Sequence, residues 1–177
     1  MAEESTGLHV LIITGLSGAG KTLTINCLED LGYYCVDNMP PALLHKLIEL
    51  SLQSEGKIDK VALVIDVRGG DFFHNLSQSL NEMEESKLAY EILFLEASDE
   101  VLIRRFKESR RRHPLGPNGR LLEAIRMERN ILEELRGRAN VVLDTSDTSP
   151  RLLKEKLTEL YSESSSGTFS INVVSFG

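Results

Sequence analysis

Eight residues constrain this chain most. Gly15-Leu16-Ser17-Gly18-Ala19-Gly20-Lys21-Thr22 is a complete G-x-x-x-x-G-K-[ST] loop. The apolar run from Leu8 to Thr14 predicts a buried strand before it, and Leu23 to Leu31 predicts a helix after it. A strand that enters a helix through such a loop gathers backbone N–H groups around one point. The helix N-terminus adds a positive dipole end at that point. Phosphate oxygens are the natural ligand. Lys21 then reaches the β- and γ-phosphates, and Thr22 offers its hydroxyl to Mg²⁺. The bland alternative is a glycine-rich turn that binds nothing, but it leaves the order strand, loop, helix unexplained.

That order repeats along the chain. Tyr33 to Val36 predicts a short strand, and Pro40-Pro41 opens a helix through about Leu52. Val61 to Ile65 is a continuous apolar run of the kind buried on both faces. A helix from about Asp71 to Ser86 follows, with Asp71 as a candidate N-cap. Ile92 to Leu95 is the next strand, and Ser98 caps a helix through about Arg112. After the turn cluster His113-Pro114-Leu115-Gly116-Pro117-Asn118-Gly119 come a long helix to about Arg136 and a strand from Ala139 to Leu143. Ser149-Pro150 starts a last helix. Alternating strands and helices predict an α/β fold of the P-loop NTPase type, kinase-like, in three α/β/α layers around a mainly parallel sheet. Ligands of such sheets bind at the carboxyl ends of the strands. Asp37, Asp66, Glu96 and Asp144 all fall there.

A chain of 177 residues is enough for one domain, with 41% apolar and 27% charged residues. The net charge of −7 argues against a nucleic-acid footprint over the whole surface. No apolar run reaches the length of a membrane span, and the first residues lack a secretory pattern, so no membrane and a cytoplasmic location are expected. Cys27 and Cys35 fit no metal-ligand spacing and are expected to behave as small apolar residues.

Four further features bear on chemistry. Asp66 ends an apolar strand, where the acidic partner of a phosphate loop holds Mg²⁺. Arg68 is either a phosphate contact or a solvated arginine, and Gly69-Gly70 permit close backbone approach. Asp37 follows the second strand and is either the base that takes a proton from an attacking hydroxyl or a helix cap ahead of Pro40. The basic run Arg104 to His113 contains Arg110, Arg111 and Arg112. It reads as a lid over phosphates near 104–120, as a solvated helix face, or as a contact for RNA or an acidic partner. His113 reads as a turn residue. His9, His45 and His74 receive no role.

Taken together, the loop at Gly15–Thr22, the stretch Leu28 to Pro40, Asp66-Val67-Arg68, Leu95 to Glu100 and Arg110 to Leu115 resemble the RapZ/YvcJ family of bacterial nucleotide-binding proteins, the RNase adapter proteins. The resemblance spans Leu8 to Gly177. It implies binding of ATP or GTP and, in some members, slow hydrolysis of both. The family's ATP site matches Gly15, Leu16, Ser17, Gly18, Ala19, Gly20, Lys21 and Thr22. Its GTP site matches Asp66, Val67, Arg68 and Gly69. In a P-loop fold both segments line one place, so we read them as the surroundings of one nucleotide. The resemblance also implies a second domain beyond Gly177, which carries RNA contact and binds a phosphorylated amino sugar. Residues 1–162 are then the nucleotide domain. Residues 163–177 are a linker and the first strand of a domain this chain lacks, and an RNA or protein partner would act through that domain. An oligomer is compatible with the pattern.

Two classes of function follow. One is a regulatory domain that binds ATP or GTP with Mg²⁺ and hydrolyses it slowly, with Lys21, Asp66 and Asp37 as the candidate catalytic residues. The other is a small-molecule kinase with Asp37 as base. A pure interaction module with a structural nucleotide is a third, weaker reading.

Overall fold

The computed structural model describes residues 7–66, 70–116 and 120–162. Val67, Arg68 and Gly69, the turn residues Pro117-Asn118-Gly119 and the expected strand from Phe169 lie outside the described residues. Among the described residues five strands are interleaved with helices. They run β1 His9–Gly15, α1 Lys21–Asp30, β2 Tyr34–Val36, α2 Leu44–Leu52, β3 Lys60–Val64, α3 Gly70–Glu85, β4 Glu91–Glu96, α4 Asp99–Ser109, α5 Leu121–Arg138, β5 Val141–Asp144 and α6 Pro150–Tyr161. The strands order as β2-β3-β1-β4-β5, and every pairing is parallel.

The order reverses at β1. The chain leaves β1 for the outer position, returns to β3 on one side, and then crosses to β4 on the other. An open parallel sheet holds its crevice at such a reversal, beyond the carboxyl ends of the strands. Gly15 closes β1 at that edge, Glu96 and Asp144 close β4 and β5, and Asp37 and Asp66 follow β2 and β3.

β1 is buried on both faces: Leu11, Ile12 and Ile13 are fully covered, as are Ala62, Leu63 and Leu93 on its neighbours. This is why its apolar run is continuous and does not alternate. Helix α1 packs on α6, while α3 packs on α2 and α5, and α5 on α4.

Several boundaries depart from expectation. The segment after Pro40-Pro41 first makes a 3-10 turn, Pro41–Leu43, and only then α2. Asp71 lies inside the first turn of α3 and is not its cap. α4 stops at Ser109, short of Arg112, because Arg110 takes a left-handed backbone (φ 52°). β5 starts at Val141. Asn140 stands just before it, its amide donating to Ile92 O (2.9 Å) while its side-chain oxygen accepts from Ile92 N (2.8 Å). The expected caps hold at Ser98 and Ser149, whose hydroxyls accept from Val101 N and Leu152 N. His9 belongs to a covered cluster at the opposite, amino edge of the sheet, 2.8 Å from Tyr33 Oη and 3.3 Å from Glu91.

Candidate functional site

The glycine loop follows directly from β1, and its geometry explains its glycines. Gly15 has φ 138° and lies so close to β4 that a Cβ would run into Leu95, 2.7 Å from its amide nitrogen. Gly18 and Gly20 also hold positive φ, at 84° and 110°. Gly20 is the N-cap of α1 and has no side chain to cap it, so the loop delivers bare amides to the helix N-terminus.

The loop's carbonyls are tied elsewhere. Lys21 Nζ donates to Gly15 O (2.9 Å) and Leu16 O (3.1 Å). Arg105 Nη1 donates to Gly18 O (3.0 Å), and Thr145 Oγ1 to Ala19 O (2.8 Å). Gly20 O accepts from both the amide and the hydroxyl of Thr24. With these acceptors engaged, the first-turn amides of α1 are the groups left to meet an anion, since helix geometry gives them no intrahelical partner.

Asp66 stands beside this loop. Its carboxylate lies 3.9 Å from Lys21 Nζ. Asp66 therefore borders the glycine loop. Thr22 is exposed on the first turn of α1. Asp37 is exposed at the same edge, and its carboxylate accepts from the Asn38 amide at 2.7 Å, with Asn38 in a left-handed conformation (φ 54°). β3 lies between Asp37's strand and β1.

The basic run divides. Arg104 and Arg105 are on α4, while Arg110, Arg111 and Arg112 form an exposed strap after it. The three strap arginines line a hollow of about 360 Å³ with Lys107, Phe106 and His113. Arg105 turns the other way, into the molecule. Besides Gly18 O it donates to Thr145 Oγ1 (3.0 Å) and Thr145 O (2.6 Å), so it clamps the loop after β5 onto the glycine loop. Burial, chiefly, and the nearby charge of Arg104 pull its pKa below the ordinary arginine value.

Glu128, which the sequence reading passed over, and His113, read there as a turn residue, are central here. Glu128, on α5, is 2% exposed. Both its oxygens accept from the Ser17 amide (3.2 and 3.1 Å), Oε1 also accepts from Ser17 Oγ (2.7 Å), and Oε2 lies 2.9 Å from His113 Nε2. His113 is no mere turn residue. Its side chain is fully covered and joins the strap to the loop. The signal for Glu128 was in the sequence, because it falls on the buried stripe Ala124, Ile125, Leu132, Leu135. A charge on that stripe needs partners. Glu96, by contrast, is held by Arg136 through two hydrogen bonds (2.6 and 3.0 Å) and has a structural place. Among the described residues no group of three or more His, Cys, Asp or Glu could hold a metal by itself, and both cysteines are free.

Known proteins match this arrangement at two levels. Solved structures share the fold: a shikimate kinase from Acinetobacter baumannii in complex with shikimate superposes with a TM-score of 0.57 at 19% identity, covering 86% of this chain and 92% of that one. The tunicamycin resistance protein of Deinococcus radiodurans gives 0.58 at 15%, covering 86% and 95%. At such identities the likeness is one of fold, that of kinase-like P-loop proteins. Sequence relatives are much nearer. A protein of Syntrophomonas wolfei named "Nucleotide-binding protein" is 68% identical over 177 residues, all of this chain and 60% of its own length. One from Clostridium botulinum, strain Eklund 17B, is 56% identical over 172 residues, 96% of this chain and 58% of its own. The chain thus spans about 60% of the length of these relatives. The model of the RapZ-like N-terminal domain matches residues 8–165, nearly all of the described structure, and the chain belongs to that family.

Proposed function

We propose that this domain binds ATP or GTP with Mg²⁺ at the Gly15–Thr22 loop, hydrolyses it slowly, and serves as the regulatory nucleotide site of an RNase-adapter-like protein. One observation carries the reading: the loop's carbonyls are engaged by protein donors at the carboxyl end of β1, where α1 begins, with Asp66 3.9 Å from Lys21. The relatives named as nucleotide-binding proteins support it. On binding, Lys21 exchanges the carbonyls of Gly15 and Leu16 for phosphate oxygens. Arg105 and Thr145 keep the loop's shape while it does so.

The donors fit Mg²⁺. Thr22 offers a hydroxyl and Asp66 a carboxylate, both hard oxygen ligands. Mg²⁺ needs only one or two such protein groups, because water and phosphate supply the rest. The ion, when bound, neutralises charge developing on the phosphates. Arg68 and the strap Arg110, Arg111 and Arg112 are assigned to the triphosphate as it is enclosed. RNA or a protein partner is assigned to chain beyond this domain.

Titration with a fluorescent ATP analogue and Mg²⁺ tests the site. Replacing Lys21 with Ala removes a charge-assisted contact and is expected to weaken binding roughly 10- to 100-fold. Unchanged affinity in a folded Lys21→Ala chain overturns the assignment.

A second reading is a small-molecule kinase with Asp37 as the base. The kinase-like fold and the exposed Asp37 at the ligand edge favour it. Incubation with γ-labelled ATP and a metabolite extract separates the two. Label recovered only as inorganic phosphate supports the hydrolase, and label on an organic acceptor supports the kinase.

A further inference from the structure

A buried chain of hydrogen bonds connects the glycine loop with the arginine strap. We infer that Glu128 is a positioning residue for the phosphate site, holding Ser17 of the loop and, through His113, docking the strap so that loop and strap take one arrangement together. This rests on the loop being a nucleotide phosphate site.

The donors and acceptors are all assignable. Ser17 presents both its amide and its hydroxyl to the Glu128 carboxylate, at 3.1 and 2.7 Å in the shorter contacts. The Leu115 amide donates to His113 Nδ1 at 3.1 Å. Nδ1 is therefore the acceptor, and the proton of the neutral ring lies on Nε2, which donates to Glu128 at 2.9 Å. The strap is tied again where the Gly116 amide donates to His113 O (3.0 Å). Phe106 completes the joint from the apolar side. Its ring lies 5.2 Å from that of His113 and packs within 3.4 Å of where a Gly18 Cβ would stand.

Burial gives this chain its consequence. Glu128 and the His113 side chain are shut off from solvent, at 2% and 0% exposure. A covered carboxylate that loses a donor has no water to replace it. The Ser17 and His113 contacts therefore stand or fall together. The direction of the Ser17 amide matters too. It points at an interior carboxylate, so Glu128 holds the loop at Ser17 and leaves the first-turn amides of α1 to the phosphate. A strap displacement that lifts His113 releases Ser17, and an ordered loop favours a docked strap. Coupling of this kind is reciprocal.

The test uses the ¹⁵N-labelled chain with Glu128→Gln, His113→Phe and His113→Gln. Binding of the fluorescent ATP analogue and the Ser17 amide resonance are both read. Glutamine at 113 can present an N–H where Nε2 stood, and phenylalanine cannot. Glu128→Gln and His113→Phe are each expected to weaken binding about tenfold, within the usual range of coupling between sites. His113→Gln should stay within about twofold of the starting chain. His113→Phe should also move the Ser17 amide resonance, since both residues bond to the Glu128 carboxylate.

A folded Glu128→Gln chain with unchanged affinity overturns the inference, and so does a His113→Phe chain whose Ser17 resonance is unmoved. If Glu128→Gln unfolds, the two His113 variants decide: equal behaviour of Phe and Gln overturns it, and rescue by Gln alone supports it. If the starting chain does not bind the analogue, the nucleotide reading fails instead. The Ser17 resonance in His113→Phe still reports whether the coupling exists.

Discussion

Lys21 donates to two carbonyls of its own loop while an acid stands 3.9 Å away, and under the proposed function it exchanges those carbonyls for phosphate oxygens. Arg105 is different, since its three contacts are all to protein oxygens and it braces the structure on which Lys21 works. Arg105→Ala should therefore weaken nucleotide binding about tenfold, as expected for loss of charged hydrogen bonds, and should speed hydrogen exchange around Thr145. Lysine there should rescue little, because Arg105 reaches its three oxygens with two nitrogens of a planar fork and an ammonium has only one. Cys35 makes a separate prediction. Burial, chiefly, and the charge of Glu29 push its thiol from 9.0 up to about 12. A raised folded value means that its contribution to stability is full below pH 9 and is lost as pH rises from there towards 12. Tyr161, its pKa raised mainly by burial, acts in the same direction above pH 10. Urea unfolding at pH 7.5 and 10.5 should show lower stability at the higher pH, and Cys35→Ala should reduce that difference. Single residues were unevenly legible. Lys21 and Thr22 belong to one local motif and Asp66 to the end of one apolar strand, whereas Arg105 and Thr145 meet across forty positions with no motif to mark them.

At the scale of elements, the strand–loop–helix unit from His9 to Asp30 was readable because each part is local: an apolar run, glycines where φ turns positive, then helix formers. Gly15 is where that unit meets its neighbour, and the backbone of Leu95 occupies the space a side chain would need. Gly15→Ala must either strain φ or push β4 away. It should cost about 3 kcal/mol and lower the melting temperature by about 6–12 °C in a calorimetric scan. Ser149→Ala removes only the cap of α6 and should cost about 1 kcal/mol, seen as a melting shift of a few degrees. Helix ends were read less well. α4 stops at Ser109 because Arg110 turns left-handed, and the strap beyond it is then pinned by His113 beneath the surface. No local rule places an arginine at that turn. The buried partner of His113 lies fifteen residues on, in another helix.

For the whole molecule, the strand order β2-β3-β1-β4-β5 brings the loop, Asp66 and the β5–α6 loop to one edge of the sheet. A nucleotide bound there touches several elements at once and should stabilise all of them. At a hundredfold excess over its dissociation constant, Mg²⁺–ATP should add about 2.7 kcal/mol, a melting rise of roughly 5–10 °C, and Lys21→Ala should remove most of it. The sequence by itself determined the fold class, the parallel sheet and the phosphate loop, because hydrophobic period, glycine placement and a lysine–threonine pair are short-range facts. Only the tertiary structure decided what holds that loop. Arg105, Thr145, Glu128 and His113 come from two helices and two loops, and they become partners only when packing closes water out from between them. A buried charge reveals its role through the groups that satisfy it, and those are chosen by packing.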